Sequence, residues 1–272
     1  MGETSGMTMT GVRERQLMDA ADMLLDARRT GMPIADLPED SRPVTIDEAY
    51  FVQDTMAVAY EEIGGWKVGA PNAEATPMFA PMPRIWIAPN GAELTDMPGC
   101  VQWRYRGVEA EIAFLLGEDL PPRLVAKGQT PYTREEVVAA IASCHPAIEV
   151  LESGLVDPEA ATILSKVADL QMHGGFVYGP ACAEWKAIDF SKETVVLTIN
   201  GAVRVERRGS NTSGDLMRLL PYLANEGAAR TGGLRRGDWI TTGSWTGNVQ
   251  TRADSSVDVR FGTAGRVGLR FG

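Results

Sequence analysis

The sequence contains few cysteines and no long apolar run. Its three cysteines, Cys100, Cys144 and Cys182, lie far apart without a Cys-x-x-Cys pair, which excludes a disulfide framework and a zinc knuckle. No segment approaches the roughly 18 consecutive apolar residues of a membrane span, and residues 1–10 lack the features of a signal peptide. We therefore expect a cytoplasmic protein with reduced thiols that does not contact a membrane.

Basic residues are also in the minority. There are 26 Lys and Arg against 36 Asp and Glu, so the net charge is −10. Nucleic acids require a basic binding surface, and we therefore predict no nucleic-acid partner. An anionic substrate would need a local cation to attract it. The hydrophobic fraction of 44% in 272 residues suffices for one substantial core and excludes a disordered chain.

The beginning of the chain has helical periodicity. A first helix is predicted to end before Gly31 and to bury one apolar face, formed by Leu17, Ala21, Leu24 and Leu25. A second helix begins at the capping box of Thr45 and Glu48 and is predicted to end at Gly64-Gly65. Its predicted buried face comprises Ala49, Val52, Met56, Ala59 and Ile63. We predict that residues 1–64 form a helical segment packed on a main domain of residues 65–272.

From residue 66 onward the pattern becomes that of strands separated by glycine and proline. The predicted strands are RIWIA, EAEIAFLL, PAIEVLE, GGFVYG, VVLTINGAVRVE, DWITTGS and SVDVRFG. Asn200-Gly201 indicates a two-residue hairpin turn. Two helices interrupt the strands, one starting at the capping box of Thr133 and Glu136 and one containing Leu216, Leu219, Leu220 and Leu223. We predict an α+β fold with a mixed, mostly antiparallel sheet body.

Three glutamates are candidate metal ligands. Glu109 and Glu111 are two apart in a predicted strand, so both carboxylates project from one face. A bare Glu-x-Glu is more often a solvated face, but Glu149 lies in an otherwise apolar strand, where an unpaired acid is costly. Three carboxylates suit Mg²⁺ or Mn²⁺. Zinc would prefer nitrogen or sulfur ligands, and we interpret His145 and His173 as turn or core residues.

Lys67 is the candidate cation. It lies in GWKVG between an aromatic residue and glycines, where it could be partly buried and stabilised by an anionic cluster. A lysine that extends its ammonium group to solvent from a strand is an equally good interpretation.

These segments together resemble a known family. GWKVG, VEAEIAFLLG, PAIEVLESG, KVAD, NG and LRRGDWITTGS, in this order, are similar to the fumarylacetoacetate hydrolase superfamily, in its branch of 2-oxopent-4-enoate hydratases and 4-oxalocrotonate decarboxylases. The resemblance covers nearly the whole chain. It implies that Glu109, Glu111 and Glu149 bind Mg²⁺ or Mn²⁺ and that Lys67 lies beside the substrate. It also implies a homo-oligomer.

The sequence departs from this family at two motifs. Where relatives carry Gln-Pro-Asp, it has Met82-Pro83-Arg84, and where they carry Ala-Asp-Asn-Ala-Ser, it has Ala168-Asp169-Leu170-Gln171-Met172. We predict that residues 71–89, which align poorly, shape the substrate pocket. Asp169 is retained as a candidate catalytic residue. Arg84 could bind a second substrate carboxylate, or it could be an exposed loop arginine.

The resemblance implies an enzyme that acts on a small anionic 2-oxo acid or its enol. The first expectation is a hydratase that converts a 2-hydroxy-2,4-dienoate into a 4-hydroxy-2-oxo acid. The alternatives are a metal-dependent decarboxylase and an acylpyruvate-type C–C hydrolase, which share the enolate intermediate. A non-catalytic member of the same fold is a further alternative.

Overall fold

The computed structural model describes residues 11–95 and 103–272. The sequence prediction for Cys100 and that for residues 1–10 lie outside these ranges. Five α-helices are assigned in the described part: α1 (Gly11–Thr30), α2 (Ile46–Val58), α3 (Arg134–Ala139), α4 (Ile163–Ala168) and α5 (Leu219–Tyr222). None of the described helices has both the length and the apolar character that a membrane crossing demands.

The N-terminal helix α1 has the predicted buried face and the predicted end. Leu17, Ala21 and Leu24 are fully buried, Leu25 is partly buried, and Gly31 follows the helix with a φ of 68°. Such a left-handed residue at the end of a helix favours glycine. The buried face also includes a charged residue that the prediction did not contain, because Arg28 in the last turn is only 3% exposed.

Helix α2 is shorter than predicted. It begins with Thr45 as N-cap, whose side chain accepts a hydrogen bond from the Glu48 amide, but it ends at Val58. Gly64 and Gly65 therefore do not terminate it and instead belong to a strand. A Cβ on Gly65 would lie 2.4 Å from the Trp239 carbonyl oxygen, so this glycine permits two strands to approach each other closely. Ala59 is exposed, contrary to the prediction.

The strands form two sheets. The strand bounds are β1 Ile63–Gly69, β2 Met78–Pro83, β3 Ile87–Pro89, β4 Ala92–Leu94, β5 Gly107–Leu116, β6 Ile141–Leu151, β7 His173–Tyr178, β8 Thr194–Ile199, β9 Ala202–Arg208, β10 Trp239–Thr241, β11 Val249–Gln250, β12 Ser256–Phe261 and β13 Gly265–Phe271. The first sheet has the order β2-β1-β10-β5-β6-β7-β3, with β11 also paired to β5, and the second has the order β4-β13-β12-β8-β9.

Most of the described strand pairs are antiparallel. The pairs β1–β10, β3–β7 and β4–β13 are parallel. The predicted α+β fold with a mostly antiparallel sheet body is therefore confirmed. The Asn200-Gly201 turn is confirmed as well, because both residues have positive φ angles, 52° and 77°, as a type I′ hairpin between β8 and β9 requires.

Two predicted elements are less regular than their patterns suggested. The RIWIA segment begins with a 3-10 turn, Arg84–Trp86, before the short strand β3. The predicted leucine-rich helix consists of a 3-10 turn, the single turn α5 and a π-helical stretch, Leu223–Gly227. Pro221 within α5 has no amide hydrogen to donate, which is one reason for the interruption. The four predicted leucines are nevertheless buried: Leu216, Leu219, Leu220 and Leu223.

Candidate metal centre

The register between β5 and β6 brings the three glutamates together. Glu109 and Glu149 are direct partners in this antiparallel pair, and Glu111 shares the face of Glu109 because side chains two apart in a strand point the same way. One carboxylate oxygen from each of the three residues lies within 4.8 Å of the others. In the described part of the chain, no other group of His, Cys, Asp or Glu meets this criterion.

Lys67 approaches the same cluster from the neighbouring strands. Strand β1 pairs with β10, with Lys67 opposite Thr241, and β10 pairs with β5. Because Trp66 and Val68 are buried in the core, the alternation of the strand turns Lys67 to the opposite face. Its Nζ lies 2.7 Å from Glu149 Oε1 and donates a 3.0 Å hydrogen bond to the Gln171 carbonyl oxygen.

These four residues line a cavity of about 350 Å³. Other charged or polar side chains in the lining are Lys166, Gln171, Thr212 and Ser244. Pro71 and Met78 contribute to one wall. Residues 71–89 therefore shape the pocket in part, although they include strand β2 and are not a single loop.

The three carboxylates have different partners. Glu149 Oε1 accepts from His173 Nδ1 at 2.8 Å in addition to Lys67, whereas Glu149 Oε2 is buried and has no hydrogen-bond partner. Glu111 Oε2 accepts from the Thr241 hydroxyl and from the Gly243 amide. A buried carboxylate oxygen without a partner costs free energy. The unpaired oxygen and the oxygen-only donor set fit a hard divalent cation at this position.

Burial and mutual repulsion disturb the pKa values of the cluster. Burial, followed by the charge of Glu149, raises the pKa of Glu109 to about 7 and raises that of Glu111 well above its usual range. Burial also acts to raise the pKa of Glu149, but the charge of Lys67 and the hydrogen bond from His173 outweigh it and lower that pKa. Two carboxyls that resist ionisation beside a third that is ionised are typical of a site that lacks positive charge.

Lys67 keeps its proton in this environment. Burial alone would lower its pKa, but the charges of Glu149, Glu109 and Glu111 outweigh that effect and raise it. Burial lowers the pKa of His173 despite its hydrogen bond with Glu149. The histidine is therefore neutral near pH 7, with its Nδ1 hydrogen donated to the carboxylate.

The model of the fumarylacetoacetate (FAA) hydrolase C-terminal family matches residues 60–271. The chain belongs to this family. In sequence, it is 24% identical to a 2-keto-4-pentenoate hydratase of Paraburkholderia xenovorans, with 94% of this chain and 95% of the relative covered. It is also 24% identical to a 4-oxalocrotonate decarboxylase of Pseudomonas putida, with 96% and 98% covered. The resemblance to this branch of the superfamily is thus confirmed.

The fold of this FAA hydrolase family member is also found in a solved structure. It matches 4-oxalocrotonate decarboxylase from Pseudomonas putida G7, complexed with magnesium and adipate, with a TM-score of 0.81, 24% sequence identity and coverage of 97% and 99% of the two chains. This similarity establishes the fold. Together with the acidic cluster, the metal-bound neighbours support a divalent metal ion in this family member.

Two predicted site residues of this family member lie outside the cavity lining. Asp169 is fully buried and pairs with Arg28 at 2.6 Å, and its other carboxylate oxygen accepts from Ser153 and Gly154. Arg84 contacts Glu62 at 2.8 Å and lies 3.9 Å from Asp238, with its side chain 42% exposed. Arg84 therefore does not line this cavity, and its contact with a substrate carboxylate stays a prediction.

Sequence reasoning missed three residues around the FAA hydrolase site. His173 was interpreted as a turn or core residue, and it is not one of the candidate ligands, yet it holds Glu149. Gln171 accepts from Lys67 through its backbone, and Lys166 lines the cavity. Spacing could not reveal Gln171 or His173, because Gln171 lies within an irregular turn and His173 directly follows it. The segment KVAD did contain Lys166, but a single lysine did not by itself indicate a residue of the site.

Proposed function

We propose that the protein is a divalent-metal-dependent hydratase that converts a 2-hydroxy-2,4-dienoate into a 4-hydroxy-2-oxo acid. The observation that carries this proposal is the convergence of Lys67 with three carboxylates in one cavity, where Glu149 Oε2 has no partner. The 24% identity with a 2-keto-4-pentenoate hydratase, over almost the full length of both chains, adds support.

Glu109, Glu111 and Glu149 would hold the metal ion, either Mg²⁺ or Mn²⁺. A bound divalent cation would act as a Lewis acid toward the oxygens of a 2-oxo acid. The three carboxylates and Lys67 together carry a formal charge of −2 when all are ionised. A dication therefore neutralises the group and favours the ionised forms of Glu109 and Glu111.

Lys67 would act as a hydrogen-bond donor and not as a base, because its environment favours the ammonium form. An ammonium group has three hydrogens. Two are committed to Glu149 and to the Gln171 carbonyl oxygen, which leaves one for a substrate oxygen. Positive charge at this point stabilises the negative charge that develops on the 2-oxygen when the dienol becomes an enolate.

The proposed reaction balances as an isomerisation followed by an addition. One proton leaves the 2-hydroxyl group and another is taken up at the far carbon of the diene, which gives an α,β-unsaturated ketone. Water then adds across the remaining double bond, with its hydroxyl at C4 and a proton at C3. Lys67 would stabilise the enolate that forms in both stages, and the cavity walls at Pro71 and Met78 would enclose the carbon chain.

A decarboxylase is the second candidate, and Lys166 is the observation that favours it. Lys166 is a second cation in the cavity lining, with its side chain 23% exposed and its nearest described carboxylate, Glu159, 3.9 Å away. It could bind the second carboxylate of a dicarboxylate substrate. This is the role that the sequence analysis considered for Arg84.

The test compares the two reactions in parallel. The purified protein is incubated with Mg²⁺ or Mn²⁺ and a 2-hydroxydienoate, ultraviolet absorbance follows loss of the diene, and released CO₂ is measured for a dicarboxylate analogue. Loss of the diene with formation of the hydroxy acid and without CO₂ supports the hydratase. Stoichiometric CO₂ supports the decarboxylase, and release of a second acid supports a C–C hydrolase.

Two lysine variants provide a matched control. Lys67→Met should abolish turnover of every substrate, because it removes the ammonium group beside the reacting oxygen. Lys166→Met should retain turnover of a monocarboxylate and raise KM only for a dicarboxylate. Full activity of Lys67→Met would contradict the proposed mechanism. Calorimetry with Mg²⁺ and Mn²⁺ tests the non-catalytic alternative, which predicts no binding at millimolar metal.

A further inference from the structure

A left-handed turn, Leu170–Met172, lies beside the candidate metal centre. Its three residues have φ angles of 52°, 48° and 63°. A positive φ is unfavourable for a residue with a side chain, and three in succession require support from the surrounding structure. Backbone strain of this kind tends to concentrate at functional sites.

The turn supplies two contacts to the proposed site. The carbonyl oxygen of Gln171 accepts from Lys67 Nζ at 3.0 Å, and the next strand begins with His173, whose Nδ1 donates to Glu149 Oε1 at 2.8 Å. The side chain of Gln171 is itself fixed, because its Nε2 donates to the Phe79 carbonyl oxygen at 2.8 Å. A displacement of the turn would therefore move the partners of both Lys67 and Glu149.

Arg28 of helix α1 binds both ends of this turn. On the side before it, Arg28 Nε donates to Asp169 Oδ1 at 2.6 Å and Nη2 donates to the Asp169 carbonyl oxygen at 3.0 Å. On the side after it, Nη1 donates to the His173 carbonyl oxygen at 2.9 Å. Nη2 also donates to the Glu152 carbonyl oxygen at 3.0 Å, at the end of β6. The residue is 3% exposed, so these bonds are sheltered from water.

Asp169 completes the support. Its Oδ2 accepts from the Ser153 hydroxyl at 2.6 Å and from the Gly154 amide at 3.0 Å. The carboxylate is thereby fixed between Arg28 and the segment after β6. The planar guanidinium group offers five hydrogens in a rigid fork, and a lysine at this position could not reach the same set of acceptors.

We infer that Arg28 is a positioning residue, which acts through the left-handed turn to place the Gln171 carbonyl against Lys67 and the His173 ring against Glu149. The N-terminal helical segment therefore contributes to the site, although none of its residues lines the cavity within the described ranges. The effect on Lys67 rests on the proposed function, whereas the effect on His173 can be measured in the metal-free protein.

Arg13 provides a matched control on the same helix. It forms a comparable set of bonds, to both carboxylate oxygens of Glu48 and to the carbonyl oxygens of Asp40 and Arg42. These partners all lie before strand β1 in the chain and away from the cavity lining. An Arg13→Met variant therefore tests the loss of a helix-anchoring arginine without a change at the turn.

The experiment compares Arg28→Met, Arg28→Lys and Arg13→Met with the wild type. Proton NMR of the metal-free protein follows the imidazole Nδ1 hydrogens, which are two at most because the chain has only His145 and His173. A His145→Gln variant assigns the signals. Thermal unfolding reports stability, and steady-state kinetics with metal separate kcat from KM.

We expect Arg28→Met to lose or shift the His173 resonance and to lower kcat by about 100-fold, the effect expected of a misplacement of about 1 Å in an active site. Arg28→Lys should retain part of the His173 resonance and part of the wild-type kcat. Arg13→Met should lower the unfolding temperature but leave the resonance and kcat unchanged. An unchanged resonance and kcat in Arg28→Met would overturn the inference, as would equal losses of kcat in the two methionine variants.

Two further outcomes are distinguishable. If Arg28→Met does not fold, Arg28→Lys and Asp169→Asn replace it, because both substitutions retain the size of the buried pair. An unchanged His173 resonance in both of these variants would overturn the inference. If the wild type has no hydratase or decarboxylase activity, the proposed function fails, and the His173 resonance alone decides whether Arg28 positions the ring.

Discussion

Glu149 in β6 and Glu152, directly after that strand, are three residues apart, and both are buried. Glu152 accepts hydrogen bonds from the backbone amides of Arg104, Tyr105 and Ser153, so both of its oxygens are satisfied. Glu149 has one oxygen without a partner and faces two further carboxylates. Backbone amides thus compensate Glu152 completely, whereas Glu149 is compensated incompletely, and its unpaired buried oxygen fits the proposed cation site.

Substitution of each glutamate should separate these roles. Glu149→Gln should weaken Mn²⁺ binding by at least about 100-fold, beyond the effect of losing an outer-shell partner, and should remove turnover. Glu152→Gln should retain Mn²⁺ binding but destabilise the protein by about 1 to 3 kcal/mol, because one acceptor for buried amides is lost. Calorimetry and thermal unfolding measure the two effects. Equal metal affinity in the two variants would remove the distinction.

Added metal should stabilise the folded protein only through the incompletely compensated cluster. At about 100 times the dissociation constant, a ligand that binds only the folded state adds about 2.7 kcal/mol, which corresponds to about 5 to 10 °C in a chain of this length. We expect this increase in the wild type and in Glu152→Gln, but not in Glu149→Gln. Differential scanning fluorimetry with and without Mn²⁺ measures it, and chelator provides the metal-free reference.

The acidic cluster of the metal-free protein should stabilise the fold less as pH rises. The folded state raises the pKa of Glu109 from its ordinary value of 4.5 to about 7, so the folded chain binds this proton more tightly than the unfolded chain. The resulting stabilisation is complete below pH 4.5 and is lost as pH rises through about 7. Glu111 acts in the same direction, as does Asp238, whose pKa burial raises to about 6. Burial lowers the pKa values of His145 and His173, and these two groups act in the opposite direction.

A Glu109→Gln variant is the control for this pH dependence. Relative to the wild type, its unfolding temperature should fall less, or rise more, between pH 5 and 7.5, because the proton on Glu109 no longer contributes. Saturating Mn²⁺ should also flatten the wild-type curve, because the metal requires ionised ligands. Parallel pH curves of unfolding temperature in the wild type and Glu109→Gln would contradict the raised pKa of Glu109.

The smallest expected effect concerns two adjacent threonines. The Thr241 hydroxyl donates to Glu111, whereas the Thr242 hydroxyl donates to the Ile112 carbonyl oxygen at 2.7 Å, and both residues are fully buried. Thr241→Val should weaken Mn²⁺ binding about 10-fold through loss of an outer-shell partner. Thr242→Val should cost about 1 kcal/mol of stability with unchanged metal affinity. Calorimetry measures the Mn²⁺ affinity of both variants. The same Mn²⁺ affinity in Thr241→Val and Thr242→Val would refute the different roles assigned to the two threonines.

Much of the site could be predicted because it depends on strand alternation. Glu109 and Glu111 share a face by their spacing alone. Glu149 was a candidate ligand because an acid in an apolar strand needs a partner. The homo-oligomer, the cytoplasmic location and the division at residue 64 remain predictions. Arg84 and Asp169 illustrate the limit of sequence motifs. Arg84 departs from one family motif and Asp169 is retained from another, and both facts were visible in the sequence. Their side chains nevertheless pair with Glu62 and Arg28, outside the cavity lining.

Local patterns indicated the strands, the capped starts of the helices, the hairpin at Asn200-Gly201 and the three acidic candidate ligands, because these depend on periods of two or 3.6 residues and on turn chemistry. Only the tertiary structure decided that Arg28 supports the turn before His173, since the two are 145 residues apart. The left-handed conformation of Leu170, Gln171 and Met172 was likewise hidden, because no local preference favours it and the side-chain bonds at the turn join it to distant residues.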